Sequence, residues 1–174
     1  MKNKQNIVLI GFMGSGKSIT GKLLAYHLGY NFIDTDTAIE RENNRKIRDI
    51  FQNDGEETFR QLETATIEKL AQKSHQVIST GGGVATKEKD MQMLRQNGII
   101  IALTAMPQTI FKRTNNDKRP LLAKKNNADR LKTIIELMAK RAPFYKKADL
   151  IIRTDDTTPL QNVELILKYL KGIK

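Results

Sequence analysis

Short apolar runs alternate with polar stretches of helical period along the chain. Residues 7–10 form an unbroken apolar run ending at Gly11, the pattern of a strand buried on both faces. A helix is expected over 17–28, with Leu23, Leu24 and Leu28 on one face and Gly29 as its stop. Residues 31–33 read as a second strand running into Asp34-Thr35-Asp36. A polar stretch with short helices follows, then a better helix over 56–72. The third strand is read at 77–79 and ends in Gly81-Gly82-Gly83, and a helix over 87–96 leads to a fourth strand at 99–103. Helices over 107–113 and 129–145 flank a polar segment, 115–127, and a fifth strand at 150–152 precedes a closing helix over 160–170.

Strands alternating with helices predict βαβ units and a parallel sheet. The expected fold is α/β, a three-layer α/β/α sandwich on a five-stranded parallel sheet. The 174 residues suit one domain spanning 1–174. The longest apolar run, 98–103, is far too short to span a bilayer, and no membrane partner is expected. MKNKQN at the start carries charge with no apolar h-region behind it, so no secretory signal is read. The chain has no cysteine, which excludes disulfides and thiolate zinc sites and fits a reducing cytoplasm. The formal net charge of +11 raises nucleic acid as a partner, yet it equally suits a protein whose ligands are all anions. The basic residues are spread along the chain and aromatics are only 6%, so a nucleotide-switched RNA-binding module is the weaker reading and no nucleic acid partner is expected.

The chemistry begins at Gly11-Phe12-Met13-Gly14-Ser15-Gly16-Lys17-Ser18, a G-x-x-x-x-G-K-S match between an expected strand and an expected helix. Glycines let successive N–H groups turn toward phosphate oxygens, and the helix start adds a positive dipole end. Gly14, Ser15, Gly16, Lys17, Ser18 and Ile19 are therefore candidate nucleotide-binding residues. Lys17 is placed to reach the β- and γ-phosphates, and Ser18 to bind Mg²⁺. The loop indicates a nucleoside triphosphate without naming the acceptor.

Asp34 and Asp36 follow the second strand, where ligands of parallel sheets bind. Two apart in an extended chain, they would point the same way, one toward Mg²⁺ and one toward the acceptor hydroxyl as its base; alternatively they are helix caps. Arg60 and Glu63 share a helix face, either as a carboxylate-binding arginine held by a glutamate or as an exposed ion pair. Gly81, Gly82 and Gly83 leave bare backbone that a ligand can approach, unless they form a simple flexible turn. Six basic residues and one acidic residue lie over 112–125, either a solvated loop or a lid that brings Arg119 to the γ-phosphate. Arg141 sits near the end of an amphipathic helix marked by Leu131, Ile134, Ile135 and Met138, with Pro143 just beyond. His27 and His75 are read as surface residues.

GFMGSGKS at 11–18, FIDTD at 32–36, IFQNDGEETFRQLE at 50–63, STGGGV at 79–84, RPLL at 119–122 and RAPFY at 141–145 together resemble the shikimate kinase family of P-loop kinases, in its order and at similar spacings. The resemblance implies ATP as co-substrate, Mg²⁺, and transfer of the γ-phosphate to the 3-hydroxyl of shikimate. It implies Lys17, Asp36 and Arg119 as catalytic and Ser18 and Asp34 as metal residues. Arg60, Arg141 and Gly81, Gly82 and Gly83 would hold shikimate, with Glu63 positioning Arg60. Arg113 is similar to the adenine-stacking arginine, and Thr154 and Asp155 would complete that pocket. A shikimate-binding subregion over about 34–63, a mobile lid over about 114–127 and a monomeric state are expected. The alternative is another small-metabolite kinase, such as one resembling gluconate kinase, against which the paired aspartates, Arg60, the glycine triplet and Arg141 argue.

Overall fold

The computed structural model describes residues 5–114 and 126–173. Five strands, β1 (Asn6–Ile10), β2 (Asn31–Asp34), β3 (Gln76–Ser79), β4 (Gly98–Thr104) and β5 (Leu150–Arg153), form one sheet in the order β2-β3-β1-β4-β5. All four pairings are parallel. The interior strands are apolar at nearly every position because both faces are covered. Side chains alternate across the sheet. Val8, Ile10, Ile78, Ile100 and Ala102 enter one core, and Ile7, Leu9, Val77, Ile99, Ile101 and Leu103 enter the other.

Two helices cover the second face: α1 (Lys17–Leu28) through Leu24 and Ala25, and α7 (Pro159–Gly172) through Val163, Ile166 and Leu170. The first face takes Ile67 and Leu70 of α3 (Ile47–Ala71), Met91 and Leu94 of α4 (Glu88–Asn97), Ile110 of α5 (Pro107–Arg113) and Ile134 of α6 (Asn127–Tyr145). The three-layer expectation therefore holds. His27 and His75 are exposed as read. Ile135, read as part of the apolar face of α6, is instead 45% exposed; Ile134 alone of that adjacent pair enters the core.

The polar stretch after β2 folds into α2 (Thr35–Asn43) and the first half of α3. Gly55, at φ 83 and ψ 174, breaks α3 in a conformation that a side chain would resist. Its second half starts where the sequence placed a helix. Ile39, Ile50 and Phe59, with Ile47, Phe51 and Leu62 packed around them, give this region a small core of its own. The chain is not extended from Asp34 to Asp36. Asp34 is the N-cap of α2, its carboxylate accepting the Thr37 N–H at 3.3 Å, and Asp36 already lies in the first helical turn. The two aspartates therefore reach the site from a helix cap and a first helical turn rather than from one extended strand.

Candidate active site

The carboxyl ends of β1, β2 and β3 open into one cleft of about 970 Å³. The phosphate loop leaves β1. Gly14 and Gly16 sit at φ 75 and 93, and α1 starts from Gly16 with neither a side-chain cap nor an acidic residue in its first turn. Its first N–H groups and dipole end are thus available to an anion. Ser15 Oγ is buried without a hydrogen-bond partner in the loop. Lys17, 9% exposed, donates through Nζ to the Gly11 and Phe12 carbonyls at 2.9 Å each. Ser18 Oγ donates to Asp34 Oδ2 at 3.0 Å. A hydroxyl and a carboxylate side by side are the oxygen donors that Mg²⁺ takes together with phosphate oxygens and water.

Behind the loop, Arg113 donates to the Thr154 carbonyl at 2.6 Å, to Thr154 Oγ1 at 3.1 Å and to the Gly14 carbonyl at 3.4 Å. Asp155 does not face the phosphate loop. Its carboxylate accepts from the Met106 N–H, the Thr109 hydroxyl and Arg153 Nε at 2.8, 2.6 and 2.7 Å. Burial alone would raise its pKa, but these donors hold it down to about 2. Asp155 thereby closes the start of α5, the helix that carries Arg113. Ile19 is 60% exposed on the first turn of α1. Arg119 and most of the segment read as a lid lie outside the described residues.

The glycine triplet organises the acceptor side. A Cβ on Gly81 would stand 2.7 Å from Asp36 Oδ1 and 3.0 Å from Glu63 Oε1. One on Gly82 would stand 2.9 Å from Arg141 Nη1, and one on Gly83 2.7 Å from Arg60 Nη1. Gly81 therefore clears the space of two carboxylates and Gly82 and Gly83 that of one guanidinium each, so that four charged groups from α2, α3 and α6 meet over one turn. The Gly81 N–H is fixed by donating to Thr35 Oγ1 at 2.8 Å.

The two arginines differ in how their charge is used. Arg60 donates to Glu63 Oε2 at 2.9 Å and to Glu56 Oε1 at 3.0 and 3.2 Å, and lies over the Phe59 ring at 5.2 Å. Burial opposes the Arg60 charge, but Glu63 and Glu56 outweigh it and hold the guanidinium above its ordinary range. Glu63 is 1% exposed, so this is no surface ion pair. Arg141 lies over the Phe12 ring at 5.3 Å, and its Nη1 is buried without a hydrogen-bond partner among the described residues. Beneath it, burial pushes the Tyr145 hydroxyl up to about 12, with the Arg141 charge acting the other way.

The sequence missed Lys87, which meets Glu63, and Thr64 and Asp90, which lie beside the Lys87 ammonium. A Lys and an Asp three apart read as an ordinary surface pair, and nothing local indicates that Asp90 is 1% exposed.

Gly81→Ala is expected to fold, since Gly81 is not among the positive-φ glycines, and to lose about tenfold or more in kcat as the methyl displaces Asp36. Thermal unfolding and steady-state kinetics check this, and native kcat would show that the carboxylate can move aside at no cost.

A phosphate loop between β1 and α1 of a parallel sheet, facing a carboxylate and two arginines at the neighbouring strand ends, defines a P-loop kinase. The sequence pattern of the shikimate kinase family matches residues 13–171. The shikimate kinase of Persephonella marina is 46% identical over 164 residues, covering 94% of this chain and 97% of that one. That of Thermodesulfovibrio yellowstonii is 44% identical over 165 residues, covering 94% of each. Shikimate kinase from Acinetobacter baumannii, solved in complex with shikimate, superposes with a TM-score of 0.92 at 34% identity, covering 98% of this chain and 94% of that one. The chain belongs to the shikimate kinase family. Among the described residues no helix is long and apolar enough to cross a membrane.

Proposed function

We propose that this chain transfers the γ-phosphate of ATP to the 3-hydroxyl of shikimate, a step toward aromatic amino acids, with Asp36, Arg60 and Arg141 as the acceptor site. The observation that carries this is the convergence of the Asp36 carboxylate and the Arg60 and Arg141 guanidinium groups, Arg60 held by Glu63, on Gly81, Gly82 and Gly83. A hydroxylated carboxylic acid needs both kinds of partner. The two arginines bind its carboxylate, and Asp36 accepts a hydrogen bond from the reacting hydroxyl and takes its proton as transfer proceeds. Glu63 holds Arg60 in place from the buried side. The α1 N-terminus, the loop N–H groups and Lys17 receive the triphosphate, and Arg113 with Thr154 supports the loop from behind on the adenine side. Ser18 and Asp34 would hold Mg²⁺, which neutralises charge on the β- and γ-phosphate oxygens when bound. The remaining contribution assigned to the γ-phosphate falls on Arg119, on the strength of the RPLL resemblance. The absence of cysteine fits a reducing cytoplasm, and the chain is read as a monomer.

A coupled assay of ADP release with shikimate, with gluconate and without acceptor tests the assignment. Release that depends on shikimate and stops when EDTA removes Mg²⁺ is expected. Release indifferent to shikimate would overturn it.

A further inference from the structure

Lys87 belongs to none of the groups assigned above, yet it touches the acceptor machinery at four points. Its Nζ donates to the Arg60 carbonyl at 2.9 Å and to Thr64 Oγ1 at 3.3 Å. The same atom lies 3.4 Å from Glu63 Oε2 and 3.7 Å from Asp90 Oδ2. Both carboxylates are 1% exposed, and Lys87 itself is 27% exposed. Lys87 is an extended residue, φ −98 and ψ 105, between the 3₁₀ turn Val84–Thr86 and α4. That turn follows Gly83 directly, so one ammonium joins the glycine turn to α3 at Arg60.

We propose that Lys87 is a positioning residue for the substrate-carboxylate clamp, acting on Arg60 through Glu63. The inference rests on the reading that Arg60 binds the carboxylate of the acceptor. Arg60 Nη1 donates to the same Glu63 oxygen, Oε2, that Lys87 approaches. Two cations sharing one oxygen divide its attraction, so less of the Arg60 charge is spent on Glu63 and more remains for a ligand. Glu63 and Asp90, both 1% exposed, each lie beside the Lys87 ammonium, and Glu63 also meets Arg60. Among the described residues Asp90 Oδ1 is buried without a hydrogen-bond partner, while Oδ2 accepts from Thr64 at 3.2 Å. Without the ammonium, the buried Glu63 would lose one of its two cations and would draw the Arg60 guanidinium more tightly toward α3, away from the cleft.

The test is a double-mutant cycle. Lys87→Met, Lys87→Gln and Lys87→Arg are made in the native chain and in Arg60→Ala, and KM for shikimate and for ATP, kcat and thermal unfolding are measured. Lys87→Met is expected to raise the shikimate KM about tenfold, within the coupling typical of contacting groups. The ATP KM and kcat should stay within about twofold, and Lys87→Arg should restore most of the loss. Lys87→Gln retains a donor for the Arg60 carbonyl while removing the charge, so it should resemble Lys87→Met in kinetics even where Lys87→Met melts early. In the Arg60→Ala background Lys87→Met and Lys87→Gln should add less than about twofold. A full effect in that background, equal losses for shikimate and ATP, or an unmoved shikimate KM in both Lys87→Met and Lys87→Gln overturns the proposal while a raised KM in Arg60→Ala leaves the clamp intact. An unchanged shikimate KM in Arg60→Ala itself would remove the clamp as well.

Discussion

Asp36→Asn is expected to lower kcat about 10²- to 10⁴-fold while the KM for ATP stays within about twofold. The substitution is nearly isosteric, so the packing against Gly81 and the first turn of α2 are retained. What is lost is the ability to take a proton and the negative charge beside the reacting hydroxyl. Losing an acidic group near the start of α2 costs about 0.5 kcal/mol of stability, too little to explain such a fall in turnover. Steady-state kinetics with saturating shikimate, alongside thermal unfolding, separate the two effects. A kcat near the native value would remove Asp36 as the base.

Arg141→Ala is the second large effect. It should raise the shikimate KM about 10²- to 10³-fold, the usual range for truncating one member of a buried charged pair. Arg141 is 9% exposed, lies against the Gly82 backbone and the Phe12 ring, and forms no ion pair among the described residues. Among the described residues its charge is committed to no carboxylate, whereas Arg60 already serves Glu56 and Glu63. Arg141→Ala is accordingly expected to exceed Arg60→Ala in its effect on shikimate. Arg141→Lys should recover only part of the loss, because an ammonium keeps the charge without the planar fork. Shikimate titration of both variants checks the order; an Arg141→Ala variant with native KM would exclude it from the clamp.

The sheet was legible because its interior strands are short unbroken apolar runs, a pattern that only burial on both faces explains. The helix at 17–28 was equally clear, with its apolar stripe and a glycine stop at its end; Gly29 indeed takes φ 67 there. The region from 35 to 55 was not legible in the same way. Only Ile39, Ile50 and Phe59 are fully committed to its core, and the break at Gly55 interrupts the period that would have joined the two halves of α3.

The site divides along the same line. The phosphate loop is contiguous, so its chemistry can be read from eight adjacent residues. Asp36, Arg60, Gly82 and Arg141 come from four separate parts of the chain, and no local spacing says that they meet. The glycine triplet was read for its bare backbone. In the structure it does something more specific, leaving room for Asp36, Arg141 and Arg60 in turn. The spacing of Arg60 and Glu63 suggested a surface pair as readily as a clamp. The burial of Glu63, which lies beside Lys87 and Gly81, distinguishes the two and belongs to tertiary structure.

The convergence over the glycine turn is tested most directly by identifying the phosphorylated product. The enzyme is incubated with ATP, Mg²⁺ and shikimate, and phosphorus and proton NMR are followed with time. A single new phosphate ester at the 3-hydroxyl, formed in step with ADP, is expected. ADP accompanied by inorganic phosphate with shikimate unaltered, or an ester at another hydroxyl, would contradict the placement of Asp36 at the reacting oxygen.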